Sequence, residues 1–290
     1  MRKQILFCVA LLLLSILSSV SVVAQDVIPQ PNNISYSKGY FTLNKGLKAV
    51  TNLTGQDFKV LNQFASDDMD MPLISMKKPS KAYNVRLICT GTALQATQVQ
   101  DSARLQGYEL EVSPKSITIQ SLTPTGLFYG LLTLAQLEKG RQIPCVKVKD
   151  TPRFPYRGLM IDCSRHFWTK KFIMKQLDAM AYFKLNRFHW HLTDGGGWRM
   201  EVKQYPRLTN ETAYRTQSDW VKWWMEKDRK YCPVGTPGAY GGYYTQQDIK
   251  DIVRYAAARH ITVIPEIEMP GHSDEVVYAY PELSCTGKPY

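Results

Sequence analysis

Phe188-His-Trp-His-Leu-Thr-Asp-Gly-Gly-Gly-Trp198 is an apolar run that carries two histidines, ends in an acid and opens into three glycines. It reads as a strand that hands polar side chains to a flexible loop. Glycines at such a point permit positive φ and close approach of the backbone to a ligand. His189 and His191 are two apart and so face the same side of the strand.

Two further segments end in the same way. Tyr156-Arg-Gly-Leu-Met-Ile-Asp162 reads as a buried strand, followed by Ser164-Arg-His-Phe167. Ile261-Thr-Val-Ile-Pro-Glu266 reads as a third strand, followed by the loop Met269-Pro-Gly-His-Ser273. Helical patterns separate them. Residues 172–183 set Ile173, Leu177, Met180, Ala181 and Leu185 on one face. Thr245-Gln-Gln-Asp248 resembles a capping box and opens a helix with Ile249, Ile252, Val253 and Ala256 turned inward. Apolar strands alternating with helices predict parallel pairing beneath a helical layer. A doubly wound sheet and a barrel both satisfy that pattern. Asp162, then His191 and Asp194, then Glu266, Glu268 and His272 gather at C-terminal strand ends, which a barrel brings into one ring. No Gly-x-Gly-x-x-Gly follows a strand, which argues against a dinucleotide fold.

Upstream, Lys149-Asp-Thr-Pro-Arg-Phe-Pro155 marks a boundary. Residues 27–150 read as a small α+β domain, with strands at Tyr108–Val112 and Ser116–Gln120 and an apolar helix from Gly126 to Leu137. That domain shows no cluster of histidine and acid and no phosphate loop. Residues 154–290 form the second unit.

Residues 1–24 read as a secretory signal peptide: Arg2 and Lys3, an apolar stretch from Ile5 to Val23, and a small-residue cleavage pattern ending at Ala24. An exported protein, periplasmic, cell-surface or secreted, is the expectation. No later segment reaches the roughly 18 continuous apolar residues of a membrane helix. The formal charge of +11 is spread along the chain without a Lys/Arg block, so a solvated surface is expected rather than nucleic-acid binding. Of six cysteines, Cys8 lies in the leader. Cys89, Cys145 and Cys163 read as buried thiols, whereas Cys232 and Cys285 are loop-like and available to pair.

Each polar candidate has two readings. Arg157 suits a sugar diol or carboxylate through its fixed fork of donors, or a structural carboxylate. Asp162, Arg165 and His166 can form a salt-bridged strand end. Asp194 can be a turn-forming aspartate, or can join His272 in tuning a neighbouring acid. His189 and His191 can be a metal pair or two packed histidines; further ligands are not evident, so no metal is expected. The loop from Trp198 to Tyr244, with Trp220, Trp223 and Trp224, can be a lid with its own core or a set of aromatic faces for sugar rings.

These segments resemble the β-N-acetylhexosaminidases of glycoside hydrolase family 20. The similarity runs through Tyr156–Phe167, Met180–Asp194, Gly197–Thr209, Val263–Ser273 and Ala279–Leu283, and in the first domain through Ile28–Pro31 and Gly126–Gly130. It implies a (β/α)8 TIM barrel, of which these residues are the first three β/α units, preceded by the family's non-catalytic domain. It implies removal of terminal non-reducing β-linked N-acetylglucosamine or N-acetylgalactosamine without a cofactor. The substrate's own acetamido oxygen attacks the anomeric carbon, an exception to the two-carboxylate scheme. Arg157 matches the arginine that grips the 3- and 4-hydroxyls, and Asp194 and His272 match the pair that supports the acid glutamate. Asp162, Arg165, His166, Glu268 and Trp198 are further candidates.

The pattern departs at Asp194-Gly-Gly-Gly-Trp198, where the family often reads Asp-Asp-Gln-Gly-Trp. The Asp-Glu pair after the family's fourth strand is not among the 290 residues; Asp274-Glu275 follows the third strand instead. An incomplete barrel, inactive alone and exposing a sheet edge, is therefore expected. The alternatives are a non-catalytic sugar-binding homologue and a metal-dependent barrel hydrolase using His189 and His191.

Overall fold

A computed structural model describes residues 27–45, 47–78, 80, 82–91, 102–227 and 230–288. The leader peptide read at residues 1–24 lies outside the described residues.

The first half is a seven-stranded sheet, built from β1 (Asn33–Thr42), β2 (Ala49–Thr51), β3 (Leu73–Ser75), β4 (Val85–Cys89), β5 (Tyr108–Ser113), β6 (Ser116–Ser121) and β7 (Gln142–Asp150). Their order is β1-β7-β5-β6-β4-β2-β3. Alternation decides the faces: Tyr108, Leu110 and Val112 point into the core, while Glu109 and Glu111 pair outside with Lys149 and Lys147 at 2.8 and 2.9 Å. Helices α1 (Gly55–Met69) and α2 (Pro124–Leu137) follow. α2 is apolar all round and almost wholly buried, as such a helix must be. The Thr123 hydroxyl caps it by accepting from Gly126 N, and Pro124 fits its first turn.

The second half is built on three parallel strands, β8 (Gly158–Asp162), β9 (Arg187–His191) and β13 (Thr262–Glu266), in the order β13-β9-β8. α3 (Lys170–Tyr182) links the first two, and α6 (Gln246–Ala257) precedes the third. Ile173, Leu177, Met180 and Ala181 of α3 are buried. Thr245 and Asp248 complete the capping box of α6 reciprocally. Val253 is 44% exposed, because it lies at the edge of the stripe defined by Ile252 and Ala256. β8 differs from its sequence reading. Phe188 and Trp190 of the central β9 are fully buried, but Leu159 and Met160 of β8 are 37% and 52% exposed. β8 is an edge strand with a neighbour on one side, and no closed barrel forms among the described residues.

The aromatic loop between β9 and α6 is folded. β10 (Tyr214–Arg215), β11 (Tyr231–Cys232) and β12 (Tyr240–Gly241) make a small sheet, accompanied by α4 (Arg207–Thr212) and α5 (Trp220–Met225). Trp223 is its fully buried centre. α7 (Asp274–Ala279) follows β13. Cys232 is buried, Cys285 is exposed, and neither is in a disulfide; Cys145 and Cys163 are buried, with Cys89 half-buried.

Candidate functional site

Parallel register sets the site. Asp162 pairs with His191, and His191 with Glu266, so three polar residues lie in one row across the C-terminal ends of β8, β9 and β13. Asp194, three residues past β9, is only 3% exposed and collects the donors. Its Oδ2 accepts from Arg165 Nη2 at 2.5 Å and from His191 Nε2 at 3.1 Å. Its Oδ1 accepts from Gly195 N at 2.7 Å, and His272 Nδ1 lies 3.3 Å away. Burial alone would raise the Asp194 pKa. The hydrogen bond from His191, the Arg165 and His272 charges and the Gly195 amide outweigh burial and hold it below the usual carboxylate range.

His191 is the hub of the row. Its Nδ1 lies 2.7 Å from Glu266 Oε2, so both ring nitrogens face carboxylates. Both must then donate, which makes the ring an imidazolium. Asp194 is the main cause of a pKa raised to about 9, with burial opposing and Glu266 assisting. His189 Nε2 meets the same Glu266 oxygen at 2.5 Å, as expected for two histidines on one side of a strand. The hydrogen bond to Glu266 raises the pKa of the Glu268 carboxyl, while the two histidines help to hold that of Glu266 down. His191, Glu266 and Glu268 do present ligand atoms within 4.8 Å of one another. A cation there would require His191 to lose a proton and a carboxylate partner, so the trio fits a proton network better than a metal centre.

Arg165 joins two strand ends. Its other terminal nitrogen meets Asp162 Oδ2 at 2.9 Å, while Asp162 Oδ1 accepts the backbone N–H groups of Ser164 and Arg165. The Arg165 side chain is 32% exposed, leaving it reachable by a ligand.

Two buried arginines, not singled out from the sequence, hold these loops. Arg199 donates to the carbonyls of Cys163, Ala213, Ser164, Gly196 and Gly242. Arg215 donates to those of Gly196, Arg165, Gln217 and Ser218. Each therefore ties the Arg165 loop to the glycine turn after Asp194. The glycines make this possible. Gly197 has φ +147°, and a Cβ there would lie 2.6 Å from the Arg199 guanidinium. A Cβ on Gly195 would lie 2.8 Å from Asp274 Oδ2 and 3.1 Å from Trp224.

Three sequence candidates fall elsewhere. Arg157 precedes β8 and lies at the opposite end of the strand from Asp162. It donates to Lys184 O, Phe154 O, Gln106 Oε1 and Tyr129 Oη, stitching the two halves of the chain together. Its donors are taken up by oxygens of the chain itself, whereas Arg165 lies at the strand ends beside Asp162 and Asp194. Trp198 is 4% exposed and packs on Leu208 and Ala279, so its ring is core. His166 turns to the folded loop, with its Nδ1 2.8 Å from Tyr240 Oη and its ring 4.2 Å from that of Trp168.

Residues 154–290 match the model of glycosyl hydrolase family 20, catalytic domain, and residues 24–151 match domain 2 of the same family. The chain is 36% identical over 277 residues to a beta-hexosaminidase of Porphyromonas gingivalis, which covers 90% of this chain and 32% of that protein. It is 31% identical over 282 residues to an N,N'-diacetylchitobiase of Vibrio harveyi, covering 92% of this chain and 30% of the other. It thus spans about a third of the length of these curated relatives. Among solved structures, a GH20 exo beta-N-acetylglucosaminidase from Vibrio harveyi, in complex with N-acetylglucosamine, aligns with TM-score 0.70 at 31% identity over 89% of this chain and 38% of that one. The N-acetyl-beta-hexosaminidase of Streptomyces plicatus, in complex with Thio-NAglucal, aligns with TM-score 0.71 at 28% identity over 92% of this chain and 50% of that one.

Proposed function

The chain belongs to glycosyl hydrolase family 20, and we propose on that premise that it forms the sugar-gripping side of an exo-acting β-N-acetylhexosaminidase. The substrate is a glycan ending in β-linked N-acetylglucosamine or N-acetylgalactosamine, cleaved with retention through the substrate's own acetamido group. The strands β8, β9 and β13 are the first three units of the barrel in this reading, and the leader at residues 1–24 makes export part of it.

The observation that carries the proposal is the convergence of Arg165, Asp194, His191 and His272 at one sheet end. Arg165 keeps a half-open fork of donors suited to two neighbouring sugar hydroxyls. Asp194 and His272, 3.3 Å apart, make a relay beside it. A relay of that kind holds a carboxylic acid protonated until it passes its proton to the leaving oxygen. That acid, and the carboxylate that orients the acetamido group, are the pair implied after a fourth strand. A polypeptide of these 290 residues alone is thus expected to bind the sugar without cleaving it.

The test is hydrolysis of p-nitrophenyl N-acetyl-β-glucosaminide by protein extended through that acid pair, with the product anomer followed by proton NMR. The reading requires the β-anomer to form first and Arg165→Ala to lower kcat/KM by roughly 100-fold or more. A first-formed α-anomer, or full activity in Arg165→Ala, would overturn it.

A further inference from the structure

Where the two halves of the chain meet, a recessed cavity of about 240 Å³ lies against Arg157. Asn32, Tyr108, Tyr129 and Asp150 line it from the first half, Arg153 and Lys184 from the second. Pockets for drug-sized ligands begin at roughly 300 Å³, so this cavity suits a smaller occupant.

Charge in the cavity is out of balance. Its lining residues carry three cations, Arg153, Arg157 and Lys184, against one carboxylate, Asp150. Asp150 does not neutralise Lys184 at close range. Its Oδ2 lies 3.9 Å from Lys184 Nζ, beyond hydrogen-bond reach. Its oxygens accept instead from Asn32 N at 3.1 Å and Tyr108 Oη at 3.3 Å. Lys184 is 4% exposed, and among the described residues its ammonium makes one hydrogen bond, to Tyr108 Oη at 3.1 Å. An ammonium carries three donors, so two are unused. A buried charge in that state is unfavourable until a counter-charge completes it. Burial is the main cause of a Lys184 pKa lowered to about 8, with Asp150 opposing and the Arg157 charge assisting.

Neutral donors are in surplus too. Tyr129 Oη accepts from Arg157 Nη2 at 3.2 Å, and its own proton finds no acceptor among the described residues. Asn32 Oδ1 accepts from Thr151 N at 2.7 Å, which leaves the NH2 group of that amide to donate. Lys184 also stands just past the C-terminus of α3 with φ +57°, where glycine is the usual residue. The chain keeps an ammonium there at a backbone cost.

We propose that this cavity binds a small tetrahedral dianion, sulfate or phosphate, through the Lys184 ammonium, the Tyr129 hydroxyl and the Asn32 amide, in the field of Arg157. The donors come from both halves, so the bound anion fastens them together. The site lies at the start of β8, away from Asp162, and does not depend on the sugar site proposed above.

The experiment is calorimetric titration of the polypeptide with sodium sulfate, at ionic strength held constant with chloride, alongside its melting temperature. One site per chain should fill with a Kd of about 1 mM or tighter. The melting temperature should rise saturably, by roughly 4 °C at ten times Kd. Sodium phosphate at pH 8 is titrated in parallel, and the tighter of the two identifies the oxyanion. Acetate, with one charge, should bind at least about tenfold more weakly. Sulfate affinity should hold from pH 6 to 7 and fall about tenfold per pH unit above 8, as Lys184 loses its proton. Lys184→Met should abolish binding. If that variant does not fold, Asn32→Asp, at an exposed position, should weaken binding by about tenfold or more. Arg165→Ala should bind sulfate as the wild type does; loss there would move the anion to the strand ends and overturn the site. Failure of both dianions to saturate, equal affinity for acetate, or a rise in melting temperature that Lys184→Met shares would overturn it as well.

Discussion

Arg165 meets Asp194 at 2.5 Å across the end of the sheet, while Arg157, at the start of the same strand, faces the other half of the chain. The two arginines give opposite predictions. Arg165→Ala should abolish sugar affinity and leave the melting temperature within a few degrees of wild type, since the guanidinium is partly exposed. Arg157→Ala should keep sugar affinity and lower stability by about 2 kcal/mol, through hydrogen bonds lost between the two halves. Calorimetric titration and thermal denaturation of both variants separate these roles.

The barrel logic could have told them apart, because sites gather where strands end and Arg157 stands where one begins. Strands, helices and the Thr245–Asp248 box were legible because their signals are local. The exposure of Leu159 and Met160 was not, since it depends on which strand stands at the sheet edge. Arg199 and Arg215 were invisible for another reason: their partners are backbone carbonyls scattered over five loops, which leave no mark in residue type. The burial of Trp198 leaves no mark in the sequence either, because an indole beside a glycine turn looks the same whether it faces a ligand or the core.

His191 should make stability fall at alkaline pH. Its pKa is raised from 6.5 to about 9 in the folded chain, so its contribution is full below pH 6.5 and fades as pH rises through 9. The amount is on the order of 2–3 kcal/mol. Melting temperatures between pH 6 and 10 should fall through this window in wild type and fall less in His191→Gln. Parallel curves would show that His191 carries no such linkage.

Glu275 should act in the same direction at lower pH. It is fully buried, neither carboxyl oxygen finds a hydrogen-bond partner among the described residues, and burial raises its pKa well above 4.5. The unfolded chain releases this proton first, so stability drops by about 1.4 kcal/mol per pH unit above 4.5 while the buried acid stays protonated. Glu275→Gln removes that slope. It should match wild type near pH 4 and exceed it at pH 8 in urea denaturation; a variant less stable at pH 8 would contradict the assignment.

The thiols give a simple check of the fold. Cys285 is exposed and unpaired, whereas Cys145, Cys163 and Cys232 are buried. A thiol reagent should therefore label Cys285 rapidly in the native protein and the buried three only on unfolding. Protection of Cys285, with release on reduction, would reveal a disulfide instead.

The most direct measurement is a crystal structure of this polypeptide with N-acetylglucosamine. The sugar should lie at the ends of β8, β9 and β13, with two hydroxyls within about 3.2 Å of the Arg165 guanidinium and the ring beside Asp194 and His272. A sugar bound at the junction around Arg157, or one at the sheet end out of reach of Arg165, would contradict the account.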